Sequence, residues 1–322
     1  MSESNAPAAT AAADAPTPTE EKDVAVPETR GQAIWREIKG LLWVLLAVLG
    51  FHSFIAKPFY IPSESMMPVL LKGDRLVVTK YAYGWSYVSP TIPNPAAIFR
   101  TLILRGPPEP WGITLPFMEG RVWSKLPERG DIVIVTPPGS NEDYIKRVIG
   151  LPGDTVEVRG GRLVINGIPV VSQVRPAIML PIDANAPCQP DQFPGAFTIG
   201  PDGKEYCQLP IVRETLPNGV SYDTIDLGFS NGDDWGPLKI APDRVFLMGD
   251  NRDRSADSRF ALGQPENGLG GPVPFENIGG RAEFITFSLD GTTSLNPGTW
   301  FSSFREGRAG TSLRTQAKGG RP

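Results

Sequence analysis

The sequence predicts a mainly β protein: a single N-terminal transmembrane helix, then an antiparallel β-sheet domain with a smaller β domain inserted into it. Three observations lead there. Residues 40–56, GLLWVLLAVLGFHSFIA, form a run without a formal charge. After it come short β-branched and apolar runs bounded by Gly, Pro, Asn and Asp, the pattern of strands and turns. The 35 glycines and 34 prolines are spread along the chain, as many turns between short strands require.

The totals narrow the chemistry. With 322 residues the chain can bury a sizeable core. Its net charge of −4 lacks the basic excess of a nucleic-acid binder, so no nucleic-acid partner is expected. The one histidine, His52, lies inside the apolar run, which leaves the rest of the chain without an imidazole. Ser-His-Asp and Cys-His arrangements are therefore excluded there. Besides His52 only Cys188 and Cys207 remain for a His/Cys zinc site, so no metal and no cofactor is expected. Those two cysteines are either a disulfide of an oxidising compartment or two free thiols.

Residues 1–33, rich in Ala, Pro, Thr and Glu, read as a disordered cytoplasmic tail. Residues 34–57 read as the transmembrane anchor, at the short end of what spans a bilayer. Arg30, Arg36 and Lys39 precede the run and Lys57 alone follows it closely, which puts the N-terminus in the cytoplasm and the remainder outside. A cleaved signal peptide fits worse, because Phe54 stands two residues before Ala56 and Pro58 follows.

Residues 58–153 and 243–306 read as the main β domain. In it, Pro62 and Pro68 bracket Ser63, Glu64, Ser65, Met66 and Met67 and bias the segment away from helix. Lys72-Gly73-Asp74 is a turn and Arg75-Leu76-Val77-Val78 a strand. The aromatic and Pro-rich stretch 83–127 reads either as an extended hairpin in the membrane interface or as loop packed on the sheet. Gly130-Asp131 turns into a buried strand at 132–135. The strand that follows puts Tyr144, Lys146 and Val148 on one face and Ile145, Arg147 and Ile149 on the other. Residues 154–242, with a hairpin at Gly160-Gly161 and both cysteines, read as the inserted β domain. Arg244-Val245-Phe246-Leu247-Met248 is a strand that delivers a dense polar loop, 249–259. Ile285-Thr286-Phe287-Ser288 is the last strand, and 307–322 reads as a loose basic tail.

A short, stiff loop holding a hydroxyl beside an anchor marks Ser65 as a nucleophile. A serine needs a group to take its proton. Without an imidazole, Lys146 is the best-placed base by residue type, provided its apolar neighbours lower its pKa from about 10.4. Loop 249–259 reads either as an ion-pair network of Asp250, Arg252, Asp253, Arg254, Asp257 and Arg259, or as a calcium loop.

Together, Ile61-Pro62-Ser63-Glu64-Ser65-Met66, the segment Tyr144-Ile145-Lys146-Arg147-Val148-Ile149-Gly150-Leu151-Pro152-Gly153-Asp154 and the loop from Gly249 to Arg259 resemble the signature boxes of bacterial type I signal peptidases. Gly130-Asp131-Ile132-Val133 matches a further box, and all four occur in the family's order behind an anchor. The resemblance implies a Ser/Lys dyad protease of the inner membrane whose partners are preprotein signal peptides and the lipid bilayer. It makes residues 58–153 and 243–306 the catalytic domain, working as a monomer. It implies Ser65 as nucleophile, Lys146 as general base, and the Ser63 hydroxyl with the Ser65 N–H as oxyanion hole. Ser255 is then expected to hydrogen-bond the Lys146 amine, and Asp257 and Arg259 to brace that loop. Ile61, Met66, Leu70, Tyr144 and Ile145 are expected to line pockets for small side chains. Three departures stand out: one membrane helix rather than two, Glu64 where Gly is common, and a long insertion over 84–124. The competing readings are a repressor-type autoprotease, a maturation protease with one dedicated substrate, and a non-catalytic membrane-tethered β scaffold.

Overall fold

The apolar and β-branched runs become seventeen strands among the described residues of a computed structural model, which describes residues 29–89, 92–93, 112–113, 120–263, 265–293, 296 and 299–315. The chain divides into two compact units, Met1–Leu45 and Leu46–Pro322. Helix α1 (Arg30–Phe54) belongs to the first in its N-terminal part and to the second in its last turns.

Local chemistry sets both ends of α1. Thr29 and Gln32 form a capping box: the Gln32 N–H donates to Thr29 Oγ1 at 3.4 Å, and the Thr29 N–H donates to Gln32 Oε1 at 2.9 Å. The helix therefore starts at residue 30, and 30–33 are not part of a disordered tail; residues 1–28 lie outside the described ones. At the other end Pro58 forbids helix and pushes Lys57 to extended backbone. Ala56 and Lys57, expected inside the anchor, belong instead to strand β1 (Ala56–Tyr60). The uncharged part of the helix, 40–54, is about 22 Å long at ~1.5 Å per residue, against ~30 Å of hydrocarbon in a bilayer. No described helix is long and apolar enough to cross a membrane.

Within the second unit the strands follow in order. They are β2 (Asp74–Thr79), β3 (Ile92–Pro93), β4 (Gly112–Ile113), β5 (Ile132–Val135) and β6 (Tyr144–Gly150), then β7 (Thr155–Arg159), β8 (Arg162–Ile165), β9 (Ile168–Pro169) and β10 (Val171–Pro181). After them come β11 (Phe197–Ile199), β12 (Glu205–Thr215), β13 (Ser221–Thr224), β14 (Trp235–Lys239), β15 (Arg244–Met248), β16 (Val273–Pro274) and β17 (Ile278–Ser288). The main sheet is antiparallel throughout, in the order β1-β2-β17-β5-β6-β15-β16.

Its central strand β5 is buried on both faces: Ile132 and Ile134 enter one apolar cluster, Val133 and Val135 another. Residues 154–242 supply two four-stranded sheets, β14-β7-β8-β9 and β10-β12-β11 with β13 on β12. A third cluster joins Val156, Val158, Leu163 and Ile165 of these strands to Ile149, Phe246 and Met248 of the main sheet. Cys188 and Cys207 are joined in a disulfide, which packs with Met67, Leu71 and Phe193. Within 83–127, β3 pairs with β4; the remainder of 90–119, and with it the reading of that stretch, lies outside the described residues.

The chain from 307 is not loose over its described part. Arg308 clamps Asp74 from Nε at 2.9 Å and again from Nη2, Arg314 pairs with Glu283, and Leu313 is buried in the cluster of Leu76 and Ile285. Residues 316–322 lie outside the described ones. Asp74 is fully buried, and removing its partner leaves an uncompensated charge. Arg308→Ala is expected to cost about 3 kcal/mol in urea unfolding, most of it recovered in the double variant with Asp74→Asn; an unchanged midpoint for Arg308→Ala would refute the clamp.

Candidate active site

Ser65 sits in a loop whose two ends are laced together. The Ile61 N–H donates to the Asp74 carbonyl and the Gly73 N–H to the Ile61 carbonyl, both at 3.0 Å. Gly73 has φ of +99°, and a Cβ there would lie 2.2 Å from the Leu289 carbonyl, so only glycine closes this loop. Met66 and Leu70, both fully buried, plug it into the core. They were expected to line substrate pockets; their side chains instead hold the loop down from behind.

Lys146 reaches the same place from β6, whose neighbours β5 and β15 fix its register: Lys146 lies opposite Val133, and Arg147 opposite Met248. Its Nζ donates to Ser65 Oγ at 3.1 Å, across 81 residues of sequence. Both residues are buried, at 3% and 6% exposure. Burial pushes the Lys146 amine down to about 8; Asp257 and Asp250 pull it up, and Arg259 pushes it down again. Ser63 Oγ lies 3.4 Å from Ser65 Oγ and donates to it. The Ser65 N–H makes no hydrogen bond among the described residues, which leaves it open to an incoming oxygen.

The third element is loop 249–259. The Asn251 N–H donates to the Ser65 carbonyl at 3.1 Å, and Asn251 Nδ2 to the Glu64 carbonyl at 3.2 Å. Ser65 is thus held by a backbone contact that sequence reasoning missed, since nothing local signals a partner 186 residues away. Gly249 lies between the two loops: a Cβ on it would meet Ser255 Oγ at 2.2 Å and the Ser65 carbonyl at 2.5 Å. Ser255, expected to hold the lysine amine, is buried against this glycine, but its Oγ has no hydrogen-bond partner. The expected bond to Lys146 is not made in this conformation.

Asp257 and Arg259 tie the loop together by hydrogen bonds. Asp257 Oδ2 accepts the Gly249 N–H at 3.0 Å and Oδ1 accepts Arg259 Nε at 2.9 Å, while Arg259 Nη2 donates to the Arg252 carbonyl at 2.6 Å. Burial alone would raise the Asp257 carboxyl, but the Arg259 guanidinium and hydrogen bonds from Arg259 and Gly249 hold it below the usual range. Asp250 and Arg252 pair outside the loop. Arg147 grips Asp250 at 2.7 and 2.6 Å and the Gly130 carbonyl at 2.8 Å; Arg252 grips Glu214 at 2.6 and 2.5 Å. Asp253 accepts the Leu227 N–H. No group of three or more His, Cys, Asp or Glu side chains among the described residues is placed to hold a metal ion.

Beside Ser65 and Lys146 opens a cavity of about 330 Å³ whose lining includes Ile61, Tyr144 and Ile145 together with Ser63, Ser65 and Lys146. Phe59, Pro62, Ile134 and Ala256 line it too and were missed. Strand pairing carries the signal for one of them: Ile134 lies directly opposite Ile145. Buried base, hydroxyl, open N–H and apolar cleft together suit acyl transfer to serine.

Comparison with known proteins points the same way. Residues 34–287 match the profile of the family described as "Signal peptidase, peptidase S26". The signal peptidase I of Rickettsia typhi is 32% identical over 265 residues, covering 80% of this chain and 81% of its own. That of Rickettsia akari is 34% identical over 254 residues, covering 76% and 77%. A solved signal peptidase I from Enterococcus faecalis V583 covers 49% of this chain and 97% of its own at 24% identity; its TM-score of 0.25 is too low to argue from.

Two outcomes follow from the geometry. The Lys146 amine sits near 8 in the folded chain and near 10.5 in the unfolded one. The unfolded chain therefore binds the extra proton between those values, and stability rises with pH across that window. Lys146→Met is expected to be the more stable form by about 3 kcal/mol below pH 8, the gap closing towards pH 10.5 in denaturant titrations; a gap that ignores pH would contradict a buried, depressed amine. Gly249→Ala is expected to push the two loops apart and slow labelling of Ser65 by a serine-directed reagent about 100-fold. Wild-type labelling would show that the contact is slack.

Proposed function

The chain belongs to the signal peptidase family, peptidase S26, and is a serine endopeptidase; on that premise we propose that it removes N-terminal signal peptides from exported preproteins through a Ser65/Lys146 dyad. The observation that carries this reading is the 3.1 Å contact between Lys146 Nζ and Ser65 Oγ, with the amine lowered to about 8 by burial.

In the proposed reaction the neutral amine takes the Ser65 proton as Oγ attacks the scissile carbonyl. The Ser65 N–H and the Ser63 hydroxyl, turned from Ser65 Oγ, donate to the oxyanion as charge develops on it. The protonated lysine then gives its proton to the departing amine, and the same base activates the water that releases the acyl group. Gly249 keeps the two loops in close contact, and Ser255 Oγ, buried beside it, accepts from the lysine amine once that amine is protonated. The substrate lies extended in the cleft between Phe59–Pro62 and Tyr144–Lys146. Ile61, Tyr144 and Ile145 leave room there for small side chains, so cleavage follows an Ala-x-Ala pattern.

Membrane attachment belongs to the same proposal. Leu41, Leu42, Trp43, Val44 and Leu45 of α1 are each more than half exposed, an apolar surface that water does not favour. The basic cluster before them assigns the N-terminus to the cytoplasmic side, with the enzyme working as a monomer on the outer face of the inner membrane. The disulfide suits that oxidising side. Because the run is short, snorkelling of Arg36 and Lys39 and local thinning of the bilayer make up the span.

The test is cleavage of an Ala-x-Ala signal-peptide substrate by the detergent-solubilised protein, with the cut located by mass spectrometry. Ser65→Ala and Lys146→Ala are each expected to abolish it without unfolding the protein. In the wild type kcat/KM is expected to climb with pH as the amine deprotonates, with an apparent pKa near 8. Undiminished cleavage by Lys146→Ala would end the dyad.

A further inference from the structure

The charged residues lining the cleft are unequally served. Asp143 is held by Thr136 Oγ1 at 2.8 Å and by Lys57 Nζ at 3.6 Å. Arg254 spends its guanidinium on the carbonyls of Asp191 and Gln192. Glu142 lines the same cavity, yet its carboxylate has neither an ion pair nor a hydrogen bond among the described residues. Its backbone is nonetheless fixed: the Glu142 N–H donates to Ser140 Oγ at 3.0 Å, and the Ser140 N–H to the Pro137 carbonyl at 3.0 Å. The charge is felt inside the cleft, where burial first and Glu142 second push the Tyr144 hydroxyl up.

An unpartnered carboxylate at the exposed edge of a binding cleft, on a backbone that is held in place, favours positive charge in whatever lies opposite. Glu142 stands four residues before Lys146, up to about 13 Å away along extended chain. Ile61, Tyr144 and Ile145, which would receive the residues just before the cut, line the cleft with it. We propose that Glu142 is a specificity determinant of this enzyme, favouring substrates with Lys or Arg at the fourth or fifth position before the cut. This rests on the substrate lying extended along Tyr144–Lys146, as in the proposed function.

The test uses the detergent-solubilised full chain and Ala-x-Ala peptides that differ only in carrying Lys, Ala or Glu at one of the second to sixth positions before the cut. The wild type is expected to prefer Lys over Glu by roughly three- to tenfold in kcat/KM at the fourth or fifth position, and less elsewhere. The ratio is expected to shrink towards unity at about 0.5 M salt. Glu142→Gln is expected to bring it within about twofold and Glu142→Lys to reverse it. Ratios within one enzyme cancel any general change in rate. Cleavage with a flat ratio at every position, or a preference that survives in Glu142→Gln, overturns the assignment and leaves the peptidase reading intact. Failure to cut any peptide, the alanine series included, takes down both.

Discussion

An amine stays uncharged near neutral pH only where a protein denies it both water and a counter-ion. Lys146 is denied water by its place in β6, between β5 and β15 and opposite Val133. Denying it a counter-ion is harder, because Asp250 and Asp257 are close enough to pull its pKa up. Each of those carboxylates has a guanidinium of its own: Arg147 grips Asp250, and Arg259 grips Asp257. Lys146 itself has no ion pair among the described residues, and Arg259 adds a push against its protonation. The ion pairs behind the site are thus the reason burial can keep this amine below its ordinary pKa.

That solution is poor value for stability, since desolvating two ions costs about what their attraction returns. Its product is geometry. Arg147 ties Asp250 to the Gly130 turn, Arg252 ties the loop to Glu214 and Tyr222, and Arg259 closes the loop on itself. Five buried side-chain atoms among the described residues lack a partner, and four of them, Asn251 Oδ1, Arg252 Nε, Asp253 Oδ1 and Ser255 Oγ, fall on this one loop. Unsatisfied groups concentrate where function outranks stability. Ser255 Oγ in particular is an unused hydrogen-bonding group on the loop that packs against Ser65.

What the sequence disclosed divides along physical lines. Strands announced themselves wherever apolar residues ran between turn residues, as at 132–135 and 244–248, because burial on both faces leaves a composition signal. The missing histidine left Lys146 as the best-placed base by residue type, its pairing with Ser65 came from the resemblance to signal peptidases, and the structure brings the two to 3.1 Å. The ends of α1 were misjudged because hydrophobicity was allowed to outweigh capping: Thr29 and Gln32 start the helix and Pro58 stops it short. Met66 and Leu70 were assigned to the cleft because proximity to Ser65 in sequence says nothing about which way a side chain faces. The order of the 307–315 segment was hidden in contacts such as Arg308 with Asp74, which no local pattern encodes.

The depth of burial at Lys146 also has a reason. A lysine sunk further from water would hold its proton still less firmly, and would accept one from a serine hydroxyl less readily for the same reason. A lysine nearer the surface would be protonated already. The carboxylates behind the amine set the balance: they offset part of the desolvation, and the Arg259 guanidinium opposes them. A value near 8 leaves a useful fraction of neutral amine without sacrificing its basicity. The loop that supplies Asp250 and Asp257 also supplies the Asn251 N–H that holds the Ser65 carbonyl, so one segment sets both the basicity of the Lys146 amine and the position of Ser65.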